Sequence, residues 1–382
     1  MDLLDEAVVP EDARDVKREA RAFADEYIAP NAREYFDSAE YPWEILEAGM
    51  DAGLVAQDIG TEYGGRGLDL LEVLAINEEF YRADAGIALT LMLASFGCEI
   101  VERYGTEDQK EEYLRPVAAN DQISGLAVSE PQTGSDMAGM TTRAERTDDG
   151  YVLNGEKYWV GNAVEADWLT VYAKTGEGED RYSNYSMFIV PTDAPGYEAE
   201  HVPEKIGMRA SKQGHIVFDD CEIPEENLVG TEGGGFYALA EFFNHGRVVV
   251  GGHGIGLAAA AIEEAYEFVR DREAFGRSVA EFQAVQHSLA DMRIEFEAAR
   301  ALNWRAAEHV REGENAGFWA AVCKTKSTEV ATECAERGMQ LHGGRSILNE
   351  RRIARVYRDA RIPVIYEGAN EIQRNLVYRQ WT

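Results

Sequence analysis

A cysteine framework is the first thing missing from this chain. Its 382 residues hold only Cys98, Cys221, Cys323 and Cys334, scattered without CxxC or Cys/His ligand spacing. Neither a zinc site nor a disulfide scaffold is therefore indicated, no metal is expected, and the thiols are read as interior side chains. Long apolar runs are missing too. The longest, residues 86–96, is interrupted by Thr90 and falls short of the roughly 20 residues that span a bilayer, so no membrane insertion is expected. The opening Met1-Asp2-Leu3-Leu4-Asp5-Glu6 lacks a basic start and an apolar stretch, which argues against an export signal and for a cytoplasmic protein. With no internal repeat and no low-complexity linker, the segments are expected to pack as one rigid unit.

Lysine is scarce as well: only Lys17, Lys110, Lys157, Lys174, Lys205, Lys212, Lys324 and Lys326 occur, and every other basic residue is arginine. Against 37 basic residues stand 70 acidic ones, for a formal charge of −33. Most of the surface would repel a polyanion, so nucleic-acid binding is disfavoured. So acidic a surface suits a salt-rich, halophilic cytosol, where close-range screening relieves self-repulsion, with an ordinary acidic mesophile protein as the competing reading. Apolar residues at 45% and aromatics at 10% rule out the composition of a disordered chain. The length suggests two or three domains.

Three rhythms follow one another. Residues 10–34 put Val16, Ala20, Phe23 and Tyr27 on one helical face, and helical spacing continues to about residue 120, broken by the loop Tyr63-Gly64-Gly65-Arg66-Gly67. From 121 to 231 short β-type runs take over. Turn pairs Asp149-Gly150 and Asn154-Gly155 bracket residues 151–153 and precede 158–160, and further strands are expected at 168–173, 185–190 and 215–218. After Gly230 the helical period returns, with Phe282, Val285, Leu289, Met292 and Phe296 stepping by three or four. The expected domains are helical over 1–120, β over 121–231 and helical over 232–382.

Three stretches carry chemical interest. Gly251-Gly252-His253-Gly254-Ile255-Gly256 follows the apolar 248–250, but it does not fit GxGxxG and no βαβ alternation surrounds it. Small residues allowing close helix packing is the better reading. In Leu126-Ala127-Val128-Ser129-Glu130-Pro131-Gln132-Thr133-Gly134-Ser135-Asp136, hydroxyls, a rigid proline and an unhindered glycine can expose backbone amides, although a strand end with a polar turn accounts for them equally. In the last stretch Glu367 follows the apolar Ile362-Pro363-Val364-Ile365-Tyr366 and precedes Gly368, read as opening the final helix. Apolar neighbours desolvate a carboxylate and raise its pKa towards that of a general base. A surface acid near a helix N-terminus is the competing reading.

Together these pieces resemble the acyl-CoA dehydrogenase family over nearly the whole chain. Five motifs agree in order and spacing: residues 127–136, Asn154-Gly155-Glu156-Lys157-Tyr158-Trp159-Val160-Gly161-Asn162, Arg272-Glu273-Ala274-Phe275-Gly276, Gln340-Leu341-His342-Gly343-Gly344 and Tyr366-Glu367-Gly368-Ala369-Asn370-Glu371-Ile372-Gln373. The resemblance implies an α+β fold with an N-terminal helical domain, a central β-barrel or sandwich and a C-terminal four-helix bundle. It also implies an FAD cofactor, a homotetramer arranged as a dimer of dimers, electron transfer to an electron-transferring flavoprotein, and a place in fatty acid β-oxidation. Glu367 would take the α-proton of an acyl-CoA thioester while FAD accepts a hydride from the β-carbon, giving a trans-2-enoyl-CoA. The thioester oxygen would be held by the base's own N–H and a ribityl hydroxyl.

By the same likeness Leu126, Val128, Ser129, Gly134, Ser135, Trp159 and Gly161 face the flavin. Arg272, Phe275, Gln283, Gln340, Gly343 and Gly344 serve the pyrophosphate and adenylate end across a subunit boundary, and Ala369 and Glu371 complete the cofactor contacts. Ser135, Asn244, Arg247, Tyr366 and Gly368 meet the substrate, with 244–247 on a turn before the first long C-terminal helix. Some relatives carry the base where this chain has Gly246, which favours Glu367. Departures matter too. Gly161 stands where a hydroxyl usually bonds flavin N5, leaving a gap open to water; Ala274 and Phe282 replace polar residues; and Ala88 occupies the place of a carboxylate-binding arginine, which disfavours a dicarboxylic substrate. The rivals are an acyl-CoA oxidase or nitroalkane-oxidase-like enzyme and, from another class, a non-catalytic flavoprotein binding module.

Overall fold

A computed structural model describes residues 3–381, so Met1, Asp2 and Thr382 lie outside the described residues. The first segment is built from α1 (Arg14–Phe23), α2 (Ala32–Ser38), α3 (Trp43–Asp51), α4 (Leu70–Ala83), α5 (Ala85–Leu93), α6 (Cys98–Tyr104) and the short α7 (Glu107–Gln109) and α8 (Arg115–Ala118). A π-helical stretch, Ala24–Ile28, extends α1 and corrects one sequence expectation. Val16, Ala20 and Phe23 are buried, but Tyr27 is 39% exposed. The wider turn shifts the helical phase, and Ala24 and Ile28 face the core in its place.

Eight strands form the middle of the chain: β1 (Ser124–Ala127), β2 (Arg143–Arg146), β3 (Gly150–Gly161), β4 (Trp168–Lys174), β5 (Tyr185–Pro191), β6 (Tyr197–His201), β7 (Gln213–Pro224) and β8 (Leu228–Val229). They join in the order β6-β7-β3-β2-β4-β5-β8, with β1 added beside β4. Asn154-Gly155 does not turn the chain, contrary to its sequence signal; β3 runs straight through it. The register instead slips twice against β7, between Leu153 and Gly155 and between Tyr158 and Val160. At the first slip the extra residue lies on β7, and Asn154 and Asp220 exchange hydrogen bonds of 2.9 and 3.0 Å across it. At the second the extra residue is Trp159, whose φ is 65°. A bulge re-aims its side chain, and Trp159 stands 60% exposed.

The last segment is a bundle of three long helices, α9 (Gly235–Asp271), α10 (Gln283–Arg311) and α11 (Ala316–His342), completed by the short α12 (Arg352–Ala360) and α13 (Asn370–Trp381), with a small hairpin of β9 (Glu273–Ala274) and β10 (Arg277–Ser278) after α9. The glycine-rich 251–256 lies inside α9 and is buried. A Cβ at Gly254 would come within 2.6 Å of the Ser327 carbonyl, and one at Gly256 within 2.6 Å of the Glu78 carbonyl. Those residues are small because α9 touches α11 and α4 backbone to backbone. By length and composition α9 and the stretch Ala85–Tyr104 could each cross a membrane, but 83% and 67% of their most apolar windows are buried in this fold.

One large apolar core runs through all three segments. A buried polar cluster also ties the two helical segments: Arg300 on α10 donates to Glu78 on α4 at 3.0 and 3.2 Å, Trp304 Nε1 adds a bond to Glu78 at 2.9 Å, and Lys17 on α1 pairs with Glu79. All four cysteines are free and buried.

Candidate functional site

Between α12 and α13 the chain turns sharply at Glu367 and Gly368, whose φ values are 54° and 88°. For a glutamate this left-handed backbone costs about 1–3 kcal/mol, so its surroundings have to hold it. Lys324 Nζ donates to the Gly368 carbonyl at 2.9 Å, Gln373 Nε2 to the same oxygen at 3.0 Å, and Arg247 Nε lies 3.4 Å from the Glu367 carbonyl. Gly368 belongs to this turn rather than opening a helix; α13 begins at Asn370. The carboxyl is turned inward. Its Oε2 is buried without a hydrogen-bond partner, and burial raises the Glu367 pKa to about 7, against the pull of Arg247 and Lys324.

Across from that carboxyl is Gly246, where an added Cβ would sit 3.0 Å from Glu367 Oε2. Residues 244–247 are not on a turn as expected; they lie inside α9, which starts at Gly235. Their helical setting is what aims Arg247 at the Glu367 turn, 5.4 Å from the face of Phe243. Behind the turn, the Tyr366 hydroxyl is hydrogen-bonded to His253 Nδ1 at 2.7 Å, and the His253 ring stacks on Tyr81 at 3.8 Å. Burial lowers His253 to about 3, so the imidazole is neutral and Tyr366 is tied into the interior. Beside the turn a cavity of about 280 Å³ is lined by Asp58, Glu99, Phe242, His245 and Val249, among others. Burial and the charges of Asp58 and Glu367 push the Glu99 carboxyl well above its usual range.

On the β side, the motif from Leu126 to Asp136 is held by an acid the sequence reading did not single out. Glu130 is buried and accepts from the Thr141 N–H at 2.7 Å, the Thr141 hydroxyl at 2.9 Å, the Thr142 N–H at 2.8 Å and Lys157 Nζ at 3.1 Å. Lys157 also donates to the Val128 carbonyl at 2.8 Å. Thus anchored, the loop leaves Gly134 and Ser135 exposed, with open space where a Gly134 Cβ would be. The Tyr158 N–H donates to the Ser129 carbonyl at 2.8 Å, which sets Val128 and Ser129 beside Trp159. Leu126 is buried within the sheet.

A Cβ at Gly161 would fall 2.7 Å from Leu93 Cδ1, so a leucine from α5 occupies the room a hydroxyl-bearing side chain would need. Asn162 fixes this junction, donating to the Leu93 carbonyl at 2.8 Å and accepting from the Tyr41 hydroxyl at 3.1 Å. Ala88 is fully buried on the same helix.

The remaining predicted contacts gather elsewhere. Phe275 tips the β9–β10 hairpin at 95% exposure, Arg272 precedes it, and Phe268 stacks on His342 at 4.2 Å, which brings Gly343 and Gly344 to the same end of the bundle. Gln283 and Gln340 are exposed. Along α9, Gly246 and Arg272 are separated by about 39 Å of helix rise. The structure therefore does not bring this group to Trp159 and Glu367 within one chain. Ala369 and Glu371 line a groove with Glu329, Thr332, Glu333 and Arg361.

Models of the N-terminal, middle and C-terminal domains of acyl-CoA dehydrogenase match residues 10–121, 125–221 and 233–382. The chain belongs to the acyl-CoA dehydrogenase family. A probable acyl-CoA dehydrogenase of Mycobacterium bovis is 36% identical over 97% of this chain and 95% of its own length. Among solved structures, a chain from the electron transferring flavoprotein study of Acidaminococcus fermentans superposes with a TM-score of 0.94 at 33% identity, covering 98% of each chain. A glutaryl-CoA dehydrogenase from Mycobacterium smegmatis in complex with FADH2 gives 0.89 at 28% identity, covering 99% of this chain and 96% of the other. Acyl-CoA dehydrogenases bind FAD. The residues here fit such a group: the uncovered Trp159 ring, the open backbone at Gly134 and the inward carboxyl of Glu367 suit a flat aromatic ring with a reacting carbon beside it.

Proposed function

We propose that Glu367 is the general base of this acyl-CoA dehydrogenase, removing the α-proton of an acyl-CoA thioester on the way to the trans-2-enoyl-CoA. The observation that carries this reading is the inward, unpartnered Oε2, on a carboxyl raised to about 7 by burial. A base poised near neutral pH combines an available ionised form with useful proton affinity. The Glu367 N–H has no acceptor among the described residues, which leaves it free for the thioester oxygen as enolate charge develops. Arg247 holds a fixed positive charge beside the turn. Asn244, Ser135 and Gly368 would border the pantetheine and thioester, and Tyr366 backs the base through His253. FAD, when bound, supplies the hydride acceptor for the β-carbon. Val128, Ser129, Gly134, Ser135 and Trp159 would hold its ring side.

Arg272, Phe275, Gln283, Gln340, Gly343 and Gly344 would serve the adenylate end of a partner subunit's FAD. Their distance from Glu367 along α9 and the exposure of Phe275 and Ile347 at 95% and 77% support a homo-oligomer, taken as a dimer of dimers. An electron-transferring flavoprotein is the proposed acceptor, supported by the neighbour from such a study. An oxidase is the second reading, favoured by one observation: Leu93 in place of a hydroxyl beside Gly161.

Anaerobic mixing of the purified yellow protein with a panel of acyl-CoA thioesters tests the assignment and identifies the preferred acyl group by flavin bleaching. Glu367→Gln is expected to retain FAD and ligand yet reduce the flavin roughly a thousandfold or more slowly. Reduction at the parent rate would move the base elsewhere. Slow reoxidation in air supports the dehydrogenase, and rapid reoxidation supports the oxidase.

A further inference from the structure

Buried lysines in this protein come in two kinds. Lys17 pairs with Glu79 and Lys157 with Glu130. Lys324, on α11 and fully buried, instead donates to two neutral oxygens, Gly368 O at 2.9 Å and Asn370 Oδ1 at 2.8 Å, and makes no ion pair among the described residues. Asn370 is itself fastened to α11, donating to the Thr328 hydroxyl at 3.0 Å. The ammonium thus ties the Gly368 side of the turn and the start of α13 to the long helix behind them. Burying an ammonium without a counter-charge is costly, so these two bonds are what hold it there.

We infer that Lys324 is the positioning residue of the base: its ammonium fixes the left-handed turn that presents Glu367 and supplies the positive charge that keeps the carboxyl ionised. The inference rests on Glu367 being the base. Burial lowers Lys324 to about 7; of the charges that act on it, Glu367 is the first to pull it back up, Arg247 on α9 pushes it down, and Glu371 on α13 and Glu329 on α11 pull it up. Seen from Glu367, Arg247 and Lys324 both favour the ionised form, while Glu99 on α6 is itself pushed well above its usual range by burial and by the charges of Asp58 and Glu367. Tyr366, with His253 and Tyr81 behind it, is uncharged. Of the two cations, Arg247 makes the longer bond to the turn, 3.4 Å to the Glu367 carbonyl, and Lys324 the shorter, 2.9 Å to the Gly368 carbonyl, with a second to Asn370.

The test compares the parent enzyme with Lys324→Met, Lys324→Gln and Lys324→Arg, measuring anaerobic flavin reduction against pH on protein shown to hold FAD. In Lys324→Met the acid limb is expected to move up by roughly one pH unit, the low end for losing one near opposite charge, with the high-pH rate changed only a few-fold. Lys324→Arg is expected to return the limb towards that of the parent. Lys324→Gln, a milder change, covers the case in which Lys324→Met does not fold. An isotope-edited infrared titration of the Glu367 carboxyl in this variant reads the same upward shift without turnover. An unmoved limb, or a rate lowered equally at every pH, would overturn the inference. If Glu367→Gln still reduces the flavin normally, the base assignment fails instead, whatever the Lys324 variants do.

Discussion

Two buried ammonium groups flank the reaction zone, and they are held in opposite ways. Under the loop from Glu130 to Thr142, Lys157 meets a carboxylate at 3.1 Å that itself collects three bonds from Thr141 and Thr142. Beneath the Glu367 turn, Lys324 meets only a carbonyl and an amide oxygen. A paired ammonium spends its field on its partner and acts as a strut. An ammonium bonded to neutral oxygens leaves its field to act on the nearest titrating carboxyl. The difference separates scaffold from chemistry: the β-side loop needs to stay put, whereas the turn must stay put and also have its acid tuned.

Lys157→Met breaks the comparison hardest. It leaves Glu130 buried and unpaired, so stability is expected to drop by about 3–5 kcal/mol, measured by urea unfolding, while the acid limb of flavin reduction stays where it is in protein that retains FAD. A moved limb would mean that Lys157 also tunes the base. Next in size is the junction of β3 and α5. Gly161→Ser places a Cβ 2.7 Å from Leu93 Cδ1, and overpacking of this kind costs about 1–3 kcal/mol. Adding Leu93→Ala is expected to recover most of that loss, read from the melting temperature, and to restore a hydroxyl beside the flavin; no recovery would mean that Leu93 is not what fills the space. The smallest effect concerns the surface. A chain of charge −33 is expected to melt higher in molar potassium chloride than in dilute buffer, through screening of self-repulsion. Equal melting in both would remove the case for salt adaptation.

What could be read from sequence followed from local pattern. The apolar run before Glu367 announced a desolvated acid, although Gly368 reads as a helix start and instead forms a turn before α13, and the small residues of 251–256 announced close helix packing. Local pattern also misled where distant contacts decide. Nothing near Tyr27 signals the π-helical turn that swings it outward. Asn154-Gly155 carries a hairpin signal, yet Asp220 on β7 answers Asn154 and the strand continues. Asn244 and Arg247 were placed before a helix that in fact begins at Gly235. Lys324 gave no signal at all, since beside Thr325 and Lys326 it reads as helix surface, and its partners lie 44 and 46 residues on. Glu130 and Lys157 stand in two separate motifs, and only the fold brings the acid and the base together.

The rate of anaerobic flavin reduction by a saturating acyl-CoA, followed from about pH 4 to 9 in the parent enzyme, bears most directly on the assignment of Glu367. An acid limb near pH 7, set by a carboxyl that burial raises to about 7 and absent from the residual rate of Glu367→Gln, is the expected result. A limb near the ordinary glutamate value of about 4.3, or a limb unchanged in Glu367→Gln, would contradict it.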